Sequence, residues 1–113
     1  MIPFGKRIKQ ARLAKKLSQR ALASKVGINF TYLSKIESGD NPPPSDEKVY
    51  LLAEQLDLDS DELFAAARRL PTDLAEHGFS AKVPKVMRLS KDLSDTDLDE
   101  VLSLLEKRRK KPG

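Results

Sequence analysis

The chain has 113 residues, enough for one ordinary domain and little more. It contains no cysteine and one histidine, His77, which excludes disulfide frameworks, thiolate metal sites, cysteine nucleophiles and histidine clusters. The formal net charge of +4 conceals a segregation: residues 1–40 carry nine basic and two acidic side chains, residues 41–80 three and nine, and residues 81–113 nine and six. A positive first third points to a polyanionic partner, and an acidic middle argues against a tail that coats nucleic acid indiscriminately.

Apolar runs such as Leu63–Ala67 are far shorter than the roughly 20 residues of a membrane span. The first residues, Met1-Ile2-Pro3-Phe4-Gly5-Lys6-Arg7, have neither an apolar signal core nor a cleavage site, so the expected compartment is the cytoplasm, with no membrane contact. Apolar residues recur at helical spacing, no stretch alternates with period two, and aromatics are scarce at 5%. The expected fold class is all-α.

In chain order, Phe4, Ile8 and Ala11 share a stripe and predict a first helix over residues 3–16. Leu22, Ala23 and Val26 predict a second over 19–26, and Leu33 and Ile36 a third over 30–38. Val49, Leu52, Ala53 and Leu56 follow the i, i+3, i+4, i+7 template for a fourth over 46–56. Leu63, Phe64 and Ala67 predict a fifth over 60–69. Residues 70–93 hold Pro71, Gly78 and Pro84 among few periodic positions and read as a linker or irregular arm. Residues 94–110 form a C-terminal segment whose helix runs from about Asp95 to Arg109 on a Leu98, Val101, Leu102, Leu105 stripe, ending in the basic run Lys107–Lys111.

Four polar cap residues are bracketed by apolar residues one before and four after, the hydrophobic-staple arrangement: Leu17/Ser18/Leu22, Ile28/Asn29/Leu33, Leu58/Asp59/Leu63 and Leu93/Ser94/Leu98. Glu62 and Asp97 occupy capping-box positions in the last two. Ser45, after three prolines, reads as a further cap, followed by Asp46 and Glu47 at the positive end of the dipole.

The link Val26-Gly27-Ile28-Asn29 joins two short helices through a glycine where a helix needs a left-handed stop. Short helices so joined, apolar only on their inner faces, make a helix-turn-helix over residues 19–38. The outer face of the third helix, Asn29, Phe30, Thr31, Tyr32, Ser34, Lys35 and Ser38, carries no acid and mostly hydrogen-bonding groups, suited to base edges and phosphates.

Arg7-Ile8-Lys9-Gln10-Ala11-Arg12, Leu17-Ser18-Gln19, Leu22-Ala23, Val26-Gly27-Ile28 and Tyr32-Leu33-Ser34-Lys35-Ile36-Glu37-Ser38-Gly39 together resemble the phage-repressor/Cro-like, or XRE-type, DNA-binding family. The resemblance covers residues 4–69 and implies a compact five-helix repressor-like domain, here with an extra C-terminal helix, that binds a near-palindromic double-stranded operator as a homodimer without cofactor or metal. It implies base reading by Asn29, Phe30, Thr31 and Lys35, with Asn29 also able to act as a helix cap. Phosphate contacts fall on Ser18, Gln19, Tyr32, Ser34 and Ser38, and Arg12 and Glu37 form a structural pair that locks the first helix to the third.

Two departures from the family pattern stand out. Phe30 takes the place of a polar residue, so it either presses on a thymine methyl or packs on a neighbouring segment. The loop from Gly39 to Pro44 lacks the usual basic residue, which shifts the positive field toward Lys6, Arg7, Lys9, Lys15 and Lys16.

The leading reading is a sequence-specific transcriptional regulator acting as a dimeric repressor. The alternative is an antitoxin or accessory protein whose C-terminal arm docks on a partner protein. No nucleophile elbow, phosphate loop or metal-ligand cluster supports an enzyme.

Overall fold

A computed structural model describes residues 2–110. Among them are eight helices and no strand: α1 (Phe4–Ala14), α2 (Gln19–Val26), α3 (Phe30–Ser38), α4 (Asp46–Leu56), α5 (Ser60–Ala66), α6 (Thr72–Ala75), α7 (Lys82–Ser90) and α8 (Asp95–Lys110). The chain divides into two compact units, residues 2–77 with α1–α6 and residues 78–110 with α7 and α8. No helix among the described residues is long and apolar enough to cross a membrane.

In the first unit α1 packs on α3 and α4, α2 on α3 and α4, and α4 on α5. The apolar stripes meet in one core, in which Ile8, Leu22, Leu33, Val49, Leu52, Leu63 and Phe64 have no exposed surface. Tyr50 tilts against Phe64 with ring centroids 4.9 Å apart, and its hydroxyl oxygen accepts the Thr72 amide at 3.3 Å. Gly5 is buried because α1 and α3 approach closely there: a Cβ on it would lie 2.2 Å from the Ile36 carbonyl oxygen.

Three links repeat one device. After α1, α2 and α4 a residue in the left-handed region (Lys16, Gly27, Asp57) is followed by an apolar residue and then by the cap of the next helix. The amides of Leu17, Ile28 and Leu58 donate back to the carbonyls of Arg12, Ala23 and Ala53, closing the Schellman motif. The same three apolar residues precede the caps Ser18, Asn29 and Asp59, so one side chain ends a helix and staples the next. Each cap side chain accepts an amide: Ser18 from Ala21, Asn29 from Thr31 and Asp59 from Asp61.

Left-handed stops at residues other than glycine account for two end corrections. α1 closes at Ala14 rather than Lys16, and α5 at Ala66 rather than Arg69, with Arg68 at φ 60°. Ser45 stands before α4 without a side-chain cap bond, and Glu62 turns from its capping position to pair with Arg7 at 2.6 Å.

The second unit differs from a plain linker, because residues 82–90 are helical. Pro84 falls in the first turn of α7, where its missing N–H has no intrahelical acceptor to lose and its fixed φ suits the helix. Ser94 and Asp97 form a reciprocal capping box before α8: the Asp97 amide donates to Ser94 Oγ at 3.1 Å, and the Ser94 amide to Asp97 at 3.4 Å. Asp95 and Asp97 sit in the first turn of α8 and Lys107, Arg108, Arg109 and Lys110 in its last, the order the macrodipole favours; Lys111 lies outside the described residues.

Candidate nucleic-acid interface

The interface begins in a buried polar network. Arg12 on α1 donates twice to Glu37 near the end of α3, Nε to Oε2 at 2.8 Å and Nη2 to Oε1 at 2.9 Å. Its remaining Nη1 donates to the Leu17 carbonyl at 2.9 Å. Gln19, the first residue of α2, donates from Nε2 to Glu37 Oε1 at 3.0 Å. The Arg12 and Glu37 side chains are 8% and 2% exposed, and no buried side-chain polar atom among the described residues lacks a partner. α1, the α1–α2 link, the start of α2 and the end of α3 are thereby tied to one carboxylate. Such a network fixes geometry more surely than it adds stability.

The turn between α2 and α3 is fixed from behind. Gly27 takes φ 70°, a conformation open to glycine without steric cost, and Lys48 of α4 donates from Nζ to the Val26 carbonyl at 3.0 Å. The ammonium thus satisfies a carbonyl at the negative end of α2.

On this frame the outer residues of α3 point to solvent. Thr31 and Lys35 are exposed, with Phe30 at 38% and Tyr32 at 36%, while Ser34 is half-buried. The Asn29 side chain is exposed but its Oδ1 accepts the Thr31 amide at 2.7 Å, which leaves its amide NH2 as the outward group. Ser38 Oγ donates to the Lys35 carbonyl and accepts from the Asp40 amide, so its hydroxyl proton is already used. Ser18 Oγ accepts the Ala21 amide, which leaves its hydroxyl proton to donate.

The positive side chains of α1 separate into two groups. Arg7 pairs with Glu62 and Lys15 with Asp57, so these two cations are turned toward the acidic α4–α5 region. Lys6, Lys9 and Lys16 are exposed. A further cation, Arg20, the second residue of α2, is not singled out by the sequence pattern; its guanidinium carbon lies 4.5 Å from the centroid of the Phe30 ring. No local pattern in the sequence marks this contact, which forms between residues ten apart only once α2 and α3 have packed.

A family model described as helix-turn-helix matches residues 8–63. A crystal structure of SinR of Bacillus subtilis, the master regulator for biofilm formation, in complex with DNA is 36% identical, with a TM-score of 0.51, over 54% of this chain and 97% of that one. The chain belongs to the Cro/repressor-like, XRE-type helix-turn-helix family. Its family segment contains the Arg12–Glu37–Gln19 network, the Gly27 turn and all of α3. Within the family it is also 37% identical over 67 residues to RghRB of Bacillus subtilis (strain 168), an uncharacterised HTH-type transcriptional regulator, and the match spans 48% of that protein's length. A SinR protein/SinI protein complex is similar over 96% of this chain and 99% of the matched one, at 26% identity and a TM-score of 0.52.

Proposed function

We propose that the protein is a sequence-specific double-stranded DNA-binding transcriptional regulator, a dimeric repressor that inserts α3 in the major groove of a near-palindromic operator. The observation that carries this reading is the outward start of α3, with Thr31 and Lys35 exposed and no acid beside them, held at a set angle by the buried Arg12–Glu37–Gln19 network. Asn29, Phe30, Thr31 and Lys35 are assigned to base edges, and Ser18, Gln19, Tyr32, Ser34 and Ser38 to the flanking phosphates. For Gln19 the assignment is chemically consistent, since one amide hydrogen goes to Glu37 and the second remains for a phosphate oxygen. For Ser18 the hydroxyl proton remains for a phosphate, beside the amides at the N-terminus of α2, whereas Ser38 reaches a phosphate only by giving up its bond to the Lys35 carbonyl. A regulator of chromosomal DNA works where the DNA is, so the proposed compartment is the cytoplasm.

The test is duplex binding as a function of salt. Each phosphate neutralised adds about 0.9 to the slope of log K against log salt, so a steep fall with salt on a duplex selected from random sequence supports the reading. Binding that ignores salt, or failure to enrich any duplex, overturns it.

The second reading adds a protein partner to the DNA. It is favoured by the likeness, over 96% of the chain, to SinR in a complex with SinI, a span that takes in residues beyond the helix-turn-helix segment. In this reading α7 and α8 receive the partner, and their exposed Val86, Leu89, Leu102 and Leu105 are the contact surface. Ordered co-elution of a second protein with residues 78–110, competing with self-association, supports it.

A further inference from the structure

α2 and α3 bring together two side chains of different chemistry at one spot. The Arg20 guanidinium lies over the face of the Phe30 ring, and both residues are exposed. Among the described residues, Arg7, Arg12, Lys15 and Arg69 have carboxylate partners, whereas Arg20 has the ring instead. A cation–π contact fixes the plane of a guanidinium without consuming its N–H donors, which point outward along the edge of that plane. Phe30 is the first residue of α3 and stands between the cap Asn29 and Thr31, so the stacked guanidinium lies at the leading end of that helix. In the major groove an apolar ring matches the methyl group of thymine, and a planar fork of donors matches O6 and N7 of guanine.

We propose that Arg20 and Phe30 read one base step as a unit: the ring presses on a thymine methyl and holds the guanidinium to donate to O6 and N7 of the adjacent guanine. The inference rests on the DNA-binding reading and deepens it in two ways. It assigns base readout to a residue of α2, outside the recognition helix. It also makes the guanine contact depend on the aromatic ring, since without Phe30 the guanidinium has no surface to fix its plane.

The experiment is a selection of duplexes from a randomised pool by the full chain, repeated with Arg20→Ala, Arg20→Lys and Phe30→Ala. Circular dichroism checks that each exposed-site variant stays folded. Arg20→Ala and Arg20→Lys are both expected to lose preference for the same single guanine, by about tenfold, with affinity for unselected duplex nearly unchanged. The lysine variant keeps the charge and removes the planar fork, so its loss isolates the fork. Phe30→Ala is expected to lose that guanine together with a neighbouring thymine. Replacing this thymine by deoxyuridine, which removes only the methyl, weakens the wild type several-fold and leaves Phe30→Ala unaffected.

The proposal is overturned if Arg20→Lys binds like the wild type while Arg20→Ala weakens selected and unselected duplexes equally and lowers the salt slope by about one, the behaviour of a phosphate contact. Unchanged base preferences in all three variants overturn it as well. A wild type that enriches no sequence sinks the DNA-binding reading itself, whereas a clear wild-type preference untouched by the variants sinks only the Arg20–Phe30 unit.

Discussion

Glu37 accepts three hydrogen bonds in a site from which water is almost excluded, two from Arg12 and one from Gln19. Removing the carboxylate strands a guanidinium whose side chain is only 8% exposed. Glu37→Ala is therefore expected to cost about 3–5 kcal/mol, read as a shift in the urea midpoint. The double change Arg12→Met with Glu37→Met should cost less than the two single changes together, because no unpaired charge remains. Additive losses would show that the pair is not coupled. Thr31 and Lys35 differ in kind, for neither takes part in this network. Thr31→Ala and Lys35→Ala should leave the urea midpoint in place and reduce discrimination between selected and random duplexes by about 1–3 kcal/mol each. Equal losses on both duplexes would move them to the phosphate-contacting group.

At the scale of elements the helix-turn-helix depends on two glycines for different reasons. Gly27→Ala places an L-residue in the left-handed region at a cost of about 1–2 kcal/mol, and its Cβ meets only the flexible end of Lys48 at 3.3 Å. Gly5→Ala meets the backbone carbonyls of Ile36 and Glu37, which cannot move without parting α1 from α3. The expected order of destabilisation is Gly5→Ala above Gly27→Ala, measured by urea denaturation; the reverse order would mean that α1 slides freely on α3.

The same elements explain what could be read from the sequence. The stripes of α2, α3 and α4 and their bounds were legible because Gly27 and the caps punctuate them in residue types with one strong preference. The ends of α1 and α5 were not, because Lys16 and Arg68 adopt left-handed stops that a long basic side chain does not announce, whereas the stop after α4 falls on Asp57, a residue type that favours turns. α7 was hidden by Pro84, which breaks a helix in its interior but not in its first turn. The outward residues of α3 were legible from the turn. Arg20 was not, since its relation to Phe30 arises across ten residues and only in three dimensions.

On the scale of the whole molecule, the charge segregation has a structural sense. Residues 1–40, with nine basic and two acidic side chains, include α1–α3, and Glu62 of α5 and Asp57 of the α4–α5 link neutralise two of these cations, Arg7 and Lys15. Within the second unit no residue of α7 or α8 is fully buried, and Leu89 at 71%, Leu102 at 53% and Leu105 at 56% exposure leave an apolar surface that two helices cannot cover by themselves. In the proposed dimer a second copy of the chain would cover it, with the two-fold symmetry that a near-palindromic operator requires, its half-sites about 34 Å apart. Leu102→Glu with Leu105→Glu removes that surface without touching a buried side chain. The variant is expected to keep its helix content, sediment as a monomer, and bind a single half-site as the wild type does. Its affinity for the full palindrome should fall about a hundredfold, because the second half-site is then no longer held at a high effective concentration. A variant that remains dimeric would place self-association elsewhere, and one that is monomeric yet binds the palindrome undiminished would separate dimerisation from operator recognition.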